Sequence, residues 1–354
     1  MRDMERAVTN ETFFYTGTYA SADQPGIVLC ALDADTGEMR IVSHTEGVDN
    51  PSYLALCPDA NCLYVASETD EGELLVYRRD AATSELHLMD RKLTRGSSPC
   101  YVSVTHDGKW VLASNYSSGS VNVFPVGDQG TLEEMSALVE HTGRGKNDDR
   151  QEGPHAHSIQ PDPSGQYAVV CDLGLDQIIV YRMEEGRLVT HRETNQPPGS
   201  GPRHLVFHPS GKWAYVINEL NNTVTAFMYD ERRGEFNTLQ HISTLPEGHS
   251  GEGTAADIRV SPCGRFLYAS NRGDDSIVLY HIDQESGKLE AVEWTSTIGQ
   301  TPRNFNLLPG GILLVANQDS NNIVAFQMDG EDGRLTHNGF KLEVSRPVCI
   351  TPVV

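Results

Sequence analysis

The chain has 354 residues and a formal net charge of -22. At that length two or three ordinary domains are expected, unless a repeat adds successive layers to a shared core. So acidic a chain is a poor partner for nucleic acid or an anionic membrane surface, each of which needs a basic face, whereas a small anionic ligand senses only its local pocket.

In chain order, the N-terminus MRDMERAVTNETFFYTG has no apolar core segment of a secretory signal, and residues 1–11 read as a flexible leader. TFFYTGTY (Thr12–Tyr19), GIVLCALD (Gly26–Asp33) and EMRIVSH (Glu38–His44) then alternate as three short strands. From Pro51 a phrase recurs: an opening Pro, an apolar run, a turn such as P-S-G-K-W, and a second apolar run ending in Asn or Asp. It reads PSYLALCPDANCLYVASE from Pro51, PCYVSVTHDGKWVLASNY from Pro99 and PHAHSIQPDPSGQYAVVCDL from Pro154. It continues as PRHLVFHPSGKWAYVINEL from Pro202, ADIRVSPCGRFLYASNR from Ala256 and PRNFNLLPGGILLVANQ from Pro302. A truncated seventh copy, PVCITPVV, begins at Pro347.

Two further short strands follow each complete phrase, as IIVYRM and RLVTHRE follow VVCDLGLDQ. Four strands per unit at this spacing make a propeller blade. The expected fold is all-β, a seven-bladed β-propeller forming a single domain over residues 1–354. The last blade takes three strands from the N-terminal stretch and one from PVCITPV, which removes the exposed edges of an open array.

No apolar run approaches a membrane-spanning helix. The seven cysteines are irregularly spaced, with no C-x-x-C, which argues against a disulfide framework or a zinc–thiolate site. The chain is therefore expected to be cytoplasmic and to need no cofactor.

Positions that every blade needs should agree among the repeats, and positions used for chemistry should not. After the opening Pro the repeats read Ser52, Cys100, His155, Arg203, Ala256, Arg303 and Val348. Just past the second run they read Thr18, Glu68, Tyr116, Leu173, Glu219, Arg272 and Gln318. The residue before that second column is mostly Asn or Asp and has the simpler explanation of turn chemistry. Antiparallel neighbours place both variable columns at one mouth of the central channel. There His155, Arg203, Arg303, Glu219, Arg272 and Glu68 should surround one funnel, as a ligand site or as salt bridges between blades. Two long connections, His141–Gly153 and Pro246–Ala256, reach the same rim, and the first carries Arg150 towards His155.

His155 and His157 sit two apart and could ligate a metal, but no nearby carboxylate or cysteine completes a set, so no metal is expected. His204 and His208 read as packing residues. G-R-G-K at Gly143 lacks phosphate-loop spacing, and no G-x-S-x-G elbow occurs.

The segments GPHAHSI, GPRHLVFHPSGKWAYVINEL, ADIRVSPCGRFLYASNRGDDSI, PRNF and LLVANQDSNNIVAF closely resemble the seven-bladed lactonase family, over nearly the whole chain. The resemblance implies a site of a His, two Arg and a Glu, falling on His155, Arg203, Glu219 and Arg272, with Arg150 and His157 beside them. Asp257 stands where the family pattern leads one to expect Glu, shortening a side chain placed near the rim. The implied reaction is hydrolysis of 6-phosphoglucono-1,5-lactone. His155 or Glu219 would be the base, and the arginines, Arg303 and Arg150 included, would bind the oxyanion or the phosphate. A lactonising reaction on a carboxylated muconate is the enzymatic alternative. A non-catalytic scaffold is the other, although the G-H and W-D signatures of WD repeats are missing.

Overall fold

The computed structural model describes residues 11–249 and 251–353. They form seven four-stranded antiparallel sheets, and neighbouring innermost strands touch in sequence order around a closed ring. The blades are numbered here by their innermost strands: Pro51–Leu56, Pro99–Val104, Ala156–Pro161, Pro202–Phe207, Thr254–Val260, Pro302–Leu308 and Pro347–Val353. The only helical turn among the described residues is Asp128–Gly130, and no helix is long and apolar enough to cross a membrane. All seven cysteines are free thiols.

Closure follows the expected pattern. Glu11–Thr18 pairs with Pro347–Val353 on one side, Phe13 opposite Val353 and Gly17 opposite Cys349, and with Ile27–Asp33 on the other. Glu11 already lies in this strand, so a flexible leader does not extend to it. The rest of that expectation, residues 1–10, lies outside the described residues.

The second strand of a blade is buried on both faces, as in Cys62–Ser67, Trp213–Asn218 and Ile312–Asn317. It therefore reads as an unbroken apolar run, and the outermost strands alternate with water. Because side chains alternate, each blade gives one face to each neighbour. Phe14 packs with Leu314 and Ile323 of blade 6, and Tyr15 with Leu63 and Leu75 of blade 1. Seven apolar clusters result, one at each interface between blades. Tyr64, Tyr215 and Tyr268 recur at one position of the second strand. Their hydroxyls donate to carbonyls of the next blade, Gly130 at 2.9 Å, Gly287 at 3.0 Å and Gly333 at 2.6 Å.

One register differs from the sequence reading. In blade 3 it is Ala156, opposite Asp172, that matches Pro202 opposite Asn218. His157 therefore stands in the place of Arg203, and His155 in that of Gly201; the carbonyls of His155 and Gly201 accept the amides of Leu173 and Glu219 alike. Aligning on Pro154 is two residues out, whereas D-P-S-G-Q-Y set against H-P-S-G-K-W gives the true register. The column then explains itself. A β-bulge lies near the start of the innermost strand in every blade, leaving Ser52, Cys100, His157, Arg203, Arg303 and Val348 unpaired with the adjacent strand, and in blade 5 both Ala256 and Asp257. A bulged residue escapes the ladder and can be re-aimed, here into the channel.

Deleting residues 347–354 should abolish the folded ring. It exposes the edge of Glu11–Thr18 and removes the buried Val348, Cys349 and Ile350. Size-exclusion chromatography and thermal melting should show aggregation or loss of the cooperative transition. A monomer with an unchanged melting midpoint would contradict closure as a requirement for stability.

Candidate active site

Glu219 lies one residue past the second strand of blade 4, with 4 % of its side chain exposed. Three guanidiniums converge on it. Arg203, from the bulge of the same blade, donates Nε to Oε2 at 3.0 Å. Arg272, ending Phe266–Arg272 of blade 5, brings Nη2 to within 2.9 Å of Oε2. Arg150, on the connection between blades 2 and 3, donates Nη2 to Oε1 at 2.6 Å. Burial alone would raise the carboxyl's pKa; Arg272, Arg203 and Arg150 outweigh it and hold Glu219 well below the usual range, hence ionised. Burial pulls the Arg272 guanidinium down to about 10 despite Glu219. Arg203 is almost wholly buried and its Nη1 donates to the Ala256 carbonyl at 2.6 Å.

His155 stands beside this cluster, stacked on the Tyr116 ring with centroids 4.5 Å apart. Its Nδ1 lies 3.0 Å from the Tyr116 carbonyl, an acceptor only, so Nδ1 carries a proton. Nε2 faces Glu152 at 3.3 Å. The Tyr116 hydroxyl accepts from Arg150 Nη2 at 3.2 Å, joining the imidazole to the arginine cluster. His157 meets Tyr116 edge-on, and its Nδ1 lies 3.8 Å from Cys100 Sγ. Burial, with Arg203 and His204 adding to it, drives the His157 pKa well down, so the ring is neutral. Burial, reinforced by Glu68, pushes the Cys100 thiol up to about 12, which keeps it protonated.

Glu68 and Arg303 lie in the same channel and share a small cavity with Ser52, Cys100 and Arg203. The Tyr19 hydroxyl donates to Glu68 at 2.9 Å, and the Arg303 guanidinium lies over the Tyr19 ring. The structure thus brings His155, His157, Arg203, Glu219, Arg272, Arg150, Arg303 and Glu68 to one channel. Among the described residues no group of three His, Cys, Asp or Glu is arranged to hold a metal.

Asp257 corrects an expectation. It belongs to the buried layer beneath the site and not to the rim, because it sits at the bulge position below Ala256. It accepts from His204 Nδ1 at 2.8 Å, Arg259 Nη1 at 2.8 Å and Asn304 Nδ2 at 2.6 Å, tying blades 4, 5 and 6 together. Burial would raise its pKa, but Arg259 and His204 bring it down to about 2. His204 is buried, as a packing residue should be, and is also a polar member of this layer. Burial and Arg203 lower its pKa to about 4, so it is neutral near pH 7. His208 bonds Ser210 and the Gly264 carbonyl, a structural role.

Four contributors, Tyr116, Asp172, His141 and Tyr181, were not singled out from the sequence. Tyr116 was in the variable column but not ionisable at neutral pH. Asp172 looked like another turn residue; Asn115, Asn218, Asn271 and Asn317 share its column. Its carboxylate accepts the His155 amide at 2.9 Å and His141 Nδ1 at 2.6 Å, while Tyr181 donates to His141 Nε2 at 2.9 Å. His141 begins the connection that carries Arg150. The lone Asp in a column of four Asn, with Gly17 and Ser67 in the remaining blades, was the available signal.

Comparison with known proteins agrees with this architecture. The family described as Lactonase, 7-bladed beta-propeller, matches residues 13–352. A 6-phosphogluconolactonase of Bacillus subtilis is 38% identical over 338 residues, 95% of this chain and 97% of the relative. A solved structure from Bacteroides fragilis superposes with a TM-score of 0.92 at 36% identity, covering 99% of this chain and 100% of the other. The periplasmic gluconolactonase of Pseudomonas aeruginosa superposes with a TM-score of 0.91 at 33% identity, covering 97% and 99%.

Glu219→Gln should destabilise the fold by about 3–5 kcal/mol, because three guanidiniums lose their shared carboxylate. The folded pKa of Glu219 is depressed, so its contribution is complete above the unfolded value of about 4.3 and is lost as pH falls through the folded value. Urea titrations from pH 7 to pH 3 should show a constant gap between wild type and variant down to about pH 4.3, shrinking at lower pH. A gap independent of pH throughout would contradict an ionised Glu219.

Proposed function

Because the chain belongs to the seven-bladed β-propeller lactonase family, we propose that it hydrolyses 6-phosphoglucono-1,5-lactone to 6-phosphogluconate. The observation that carries this reading is the convergence of guanidiniums on one mouth of a chain with net charge -22. Positive charge concentrated against the overall balance selects an anionic substrate, and it stabilises the oxyanion of a tetrahedral intermediate.

In this mechanism His155 is the proton acceptor and donor. With Nδ1–H held by the Tyr116 carbonyl, the ring in its neutral form presents the Nε2 lone pair once the exposed Glu152 side chain, which faces Nε2 at 3.3 Å, gives way to substrate and water. Nε2 takes a proton from water as the water oxygen adds to the lactone carbonyl. As the intermediate collapses, the imidazolium returns that proton to the departing ring oxygen. Glu219 is the weaker candidate base: its pKa is depressed and both its oxygens accept from arginines. Its part is to hold Arg150, Arg203 and Arg272 in place. Arg150, 40 % exposed at the rim, and Arg272 are the donors that face incoming substrate.

The relatives named above include one 6-phosphogluconolactonase and one gluconolactonase, so the phosphate is the feature of the substrate to be tested. The assay follows fresh 6-phosphogluconolactone, glucono-1,5-lactone and carboxymuconolactone, with spontaneous hydrolysis subtracted. Preferred turnover of the first supports the proposal, preferred turnover of the last supports the lactonising alternative, and turnover of none would leave a binding scaffold. His155→Ala should lower kcat by about 100- to 10,000-fold, the usual span for a general acid–base group. Near-normal turnover in the folded variant would overturn the assignment. Exhaustive chelation should leave activity intact; loss reversed by a divalent cation would instead make His155 and His157 ligands.

A further inference from the structure

Blade 1 departs from its neighbours at the turn between its first and second strands. The pairing of Leu56 with Leu63 sets Cys57 opposite Cys62 across this turn, and the Cys57 amide donates to the Cys62 carbonyl at 2.9 Å. The same bond joins Thr105 to Trp110, Asp162 to Tyr167, His208 to Trp213 and Ser261 to Phe266 in blades 2 to 5. There the first residue is a polar cap and the second a large aromatic. Thr105, Asp162 and Ser261 accept the partner's amide through a side-chain oxygen, at 3.1, 2.9 and 3.1 Å. In blade 1 the acceptor is Cys57 Sγ, 2.9 Å from the Cys62 amide nitrogen, although sulfur accepts weakly. Of these five blades only the first has cysteine at either position, and it has both.

The two thiols are hydrogen-bonded to each other, which divides their roles. That bond pulls Cys62 below the ordinary thiol value, and Arg78 adds to it against burial and Asp59. Cys57 is pushed the other way by the same bond, by burial and by Asp59. Its thiol donates to Asp59 Oδ1 at 2.8 Å. One sulfur is therefore the readier nucleophile and the other holds its proton, a division that suits a reactive dithiol. Directly opposed residues joined by a ladder bond have Cα atoms about 5.5 Å apart, inside the range of about 4.4–6.8 Å that a disulfide spans. Both cysteines line an open cavity with Arg78 and His106. By contrast, burial pushes Cys30, Cys100 and Cys171 up to about 12.

We propose that Cys57 and Cys62 form a redox-reactive pair that a peroxide converts to an intrachain disulfide and a small thiol reopens. The site is independent of the lactone-hydrolase reading, because this turn lies at the end of blade 1 away from Glu68. The Cys62 thiolate attacks the peroxide; an S–O bond forms, the O–O bond breaks, and the released hydroxide recovers the proton that Cys62 had given up. Cys57 sulfur then attacks Cys62 sulfur. The S–S bond forms as the S–O bond breaks, and the Cys57 proton passes by way of Asp59 to the departing hydroxide. The two thiols lose two electrons in all, and the peroxide is reduced to two waters.

The test treats the folded full chain with hydrogen peroxide and titrates free thiols after denaturation. The chain has seven free cysteines, and Cys263 is exposed, so Cys263→Ser serves as the background and starts from six. Its count should fall to four. The tryptic peptide 41–78, which contains both cysteines of the pair, should lose two hydrogens, and dithiothreitol should restore the six thiols. Cys57→Ser keeps a side-chain oxygen at the cap, as Thr105 and Ser261 do, and should fold. It should form no disulfide and should instead leave Cys62 as a sulfenic acid that dimedone traps. A count that stays at six, under peroxide that oxidises Cys263 in the wild type, overturns the proposal. So does a disulfide that joins any other two cysteines, or one that forms equally well in Cys57→Ser.

Discussion

None of the blades can bury both faces of its own sheet. Each of the seven apolar clusters is assembled from two neighbouring blades, so every second strand needs a neighbour on either side. The ring must therefore close, and blade 7 does so with strands from both ends of the chain. Tyrosine hydroxyls reaching into the next blade's turn add direction to what packing makes compact. A closed rigid ring also fixes seven innermost strands around one axis, which lets side chains more than 100 residues apart in sequence, such as Arg150 and Arg272, meet on one carboxylate.

The bulge is the device that turns this scaffold into a site. It frees one residue in six of the blades and two, Ala256 and Asp257, in blade 5 from the ladder, so substitution there costs the sheet little. Blades 3, 4 and 6 place His157, Arg203 and Arg303 at this position, and the others place Ser, Cys, Ala or Val. Below lies a second polar layer, in which Asp257 joins His204, Arg259 and Asn304. This layer supports the site from beneath: each of its charged groups has a partner, and His204 is kept neutral by its burial and by Arg203.

Electrostatics at the mouth is organised around Glu219. Without it, three guanidiniums from two blades and a connecting loop would repel one another in a poorly hydrated space. With it, they form a cluster that still carries excess positive charge. The loop carrying Arg150 is held at its base by the Tyr181–His141–Asp172 chain, which also holds the backbone of His155. One aspartate thus fixes both the arginine-bearing connection and the proposed acid–base residue.

The sequence by itself determined the class of fold, the number of blades, the closure by both termini and the rim to which the ionisable side chains come. Those features follow from period-two alternation, turn residues and repeat spacing, all local in the chain. It also marked His155, Arg203, Glu219 and Arg272 as neighbours, by motif and by disagreement among repeats. Only the tertiary structure decided the register of blade 3, because a two-residue offset in one repeat is compatible with the same alternation. Only the structure moved Asp257 from the rim to the buried layer, and only it separated the arginines that bind Glu219 from Arg303, which lies over Tyr19. Whether a guanidinium is satisfied depends on which carboxylates and carbonyls other blades bring within 3 Å or so, and linear spacing carries no record of that distance.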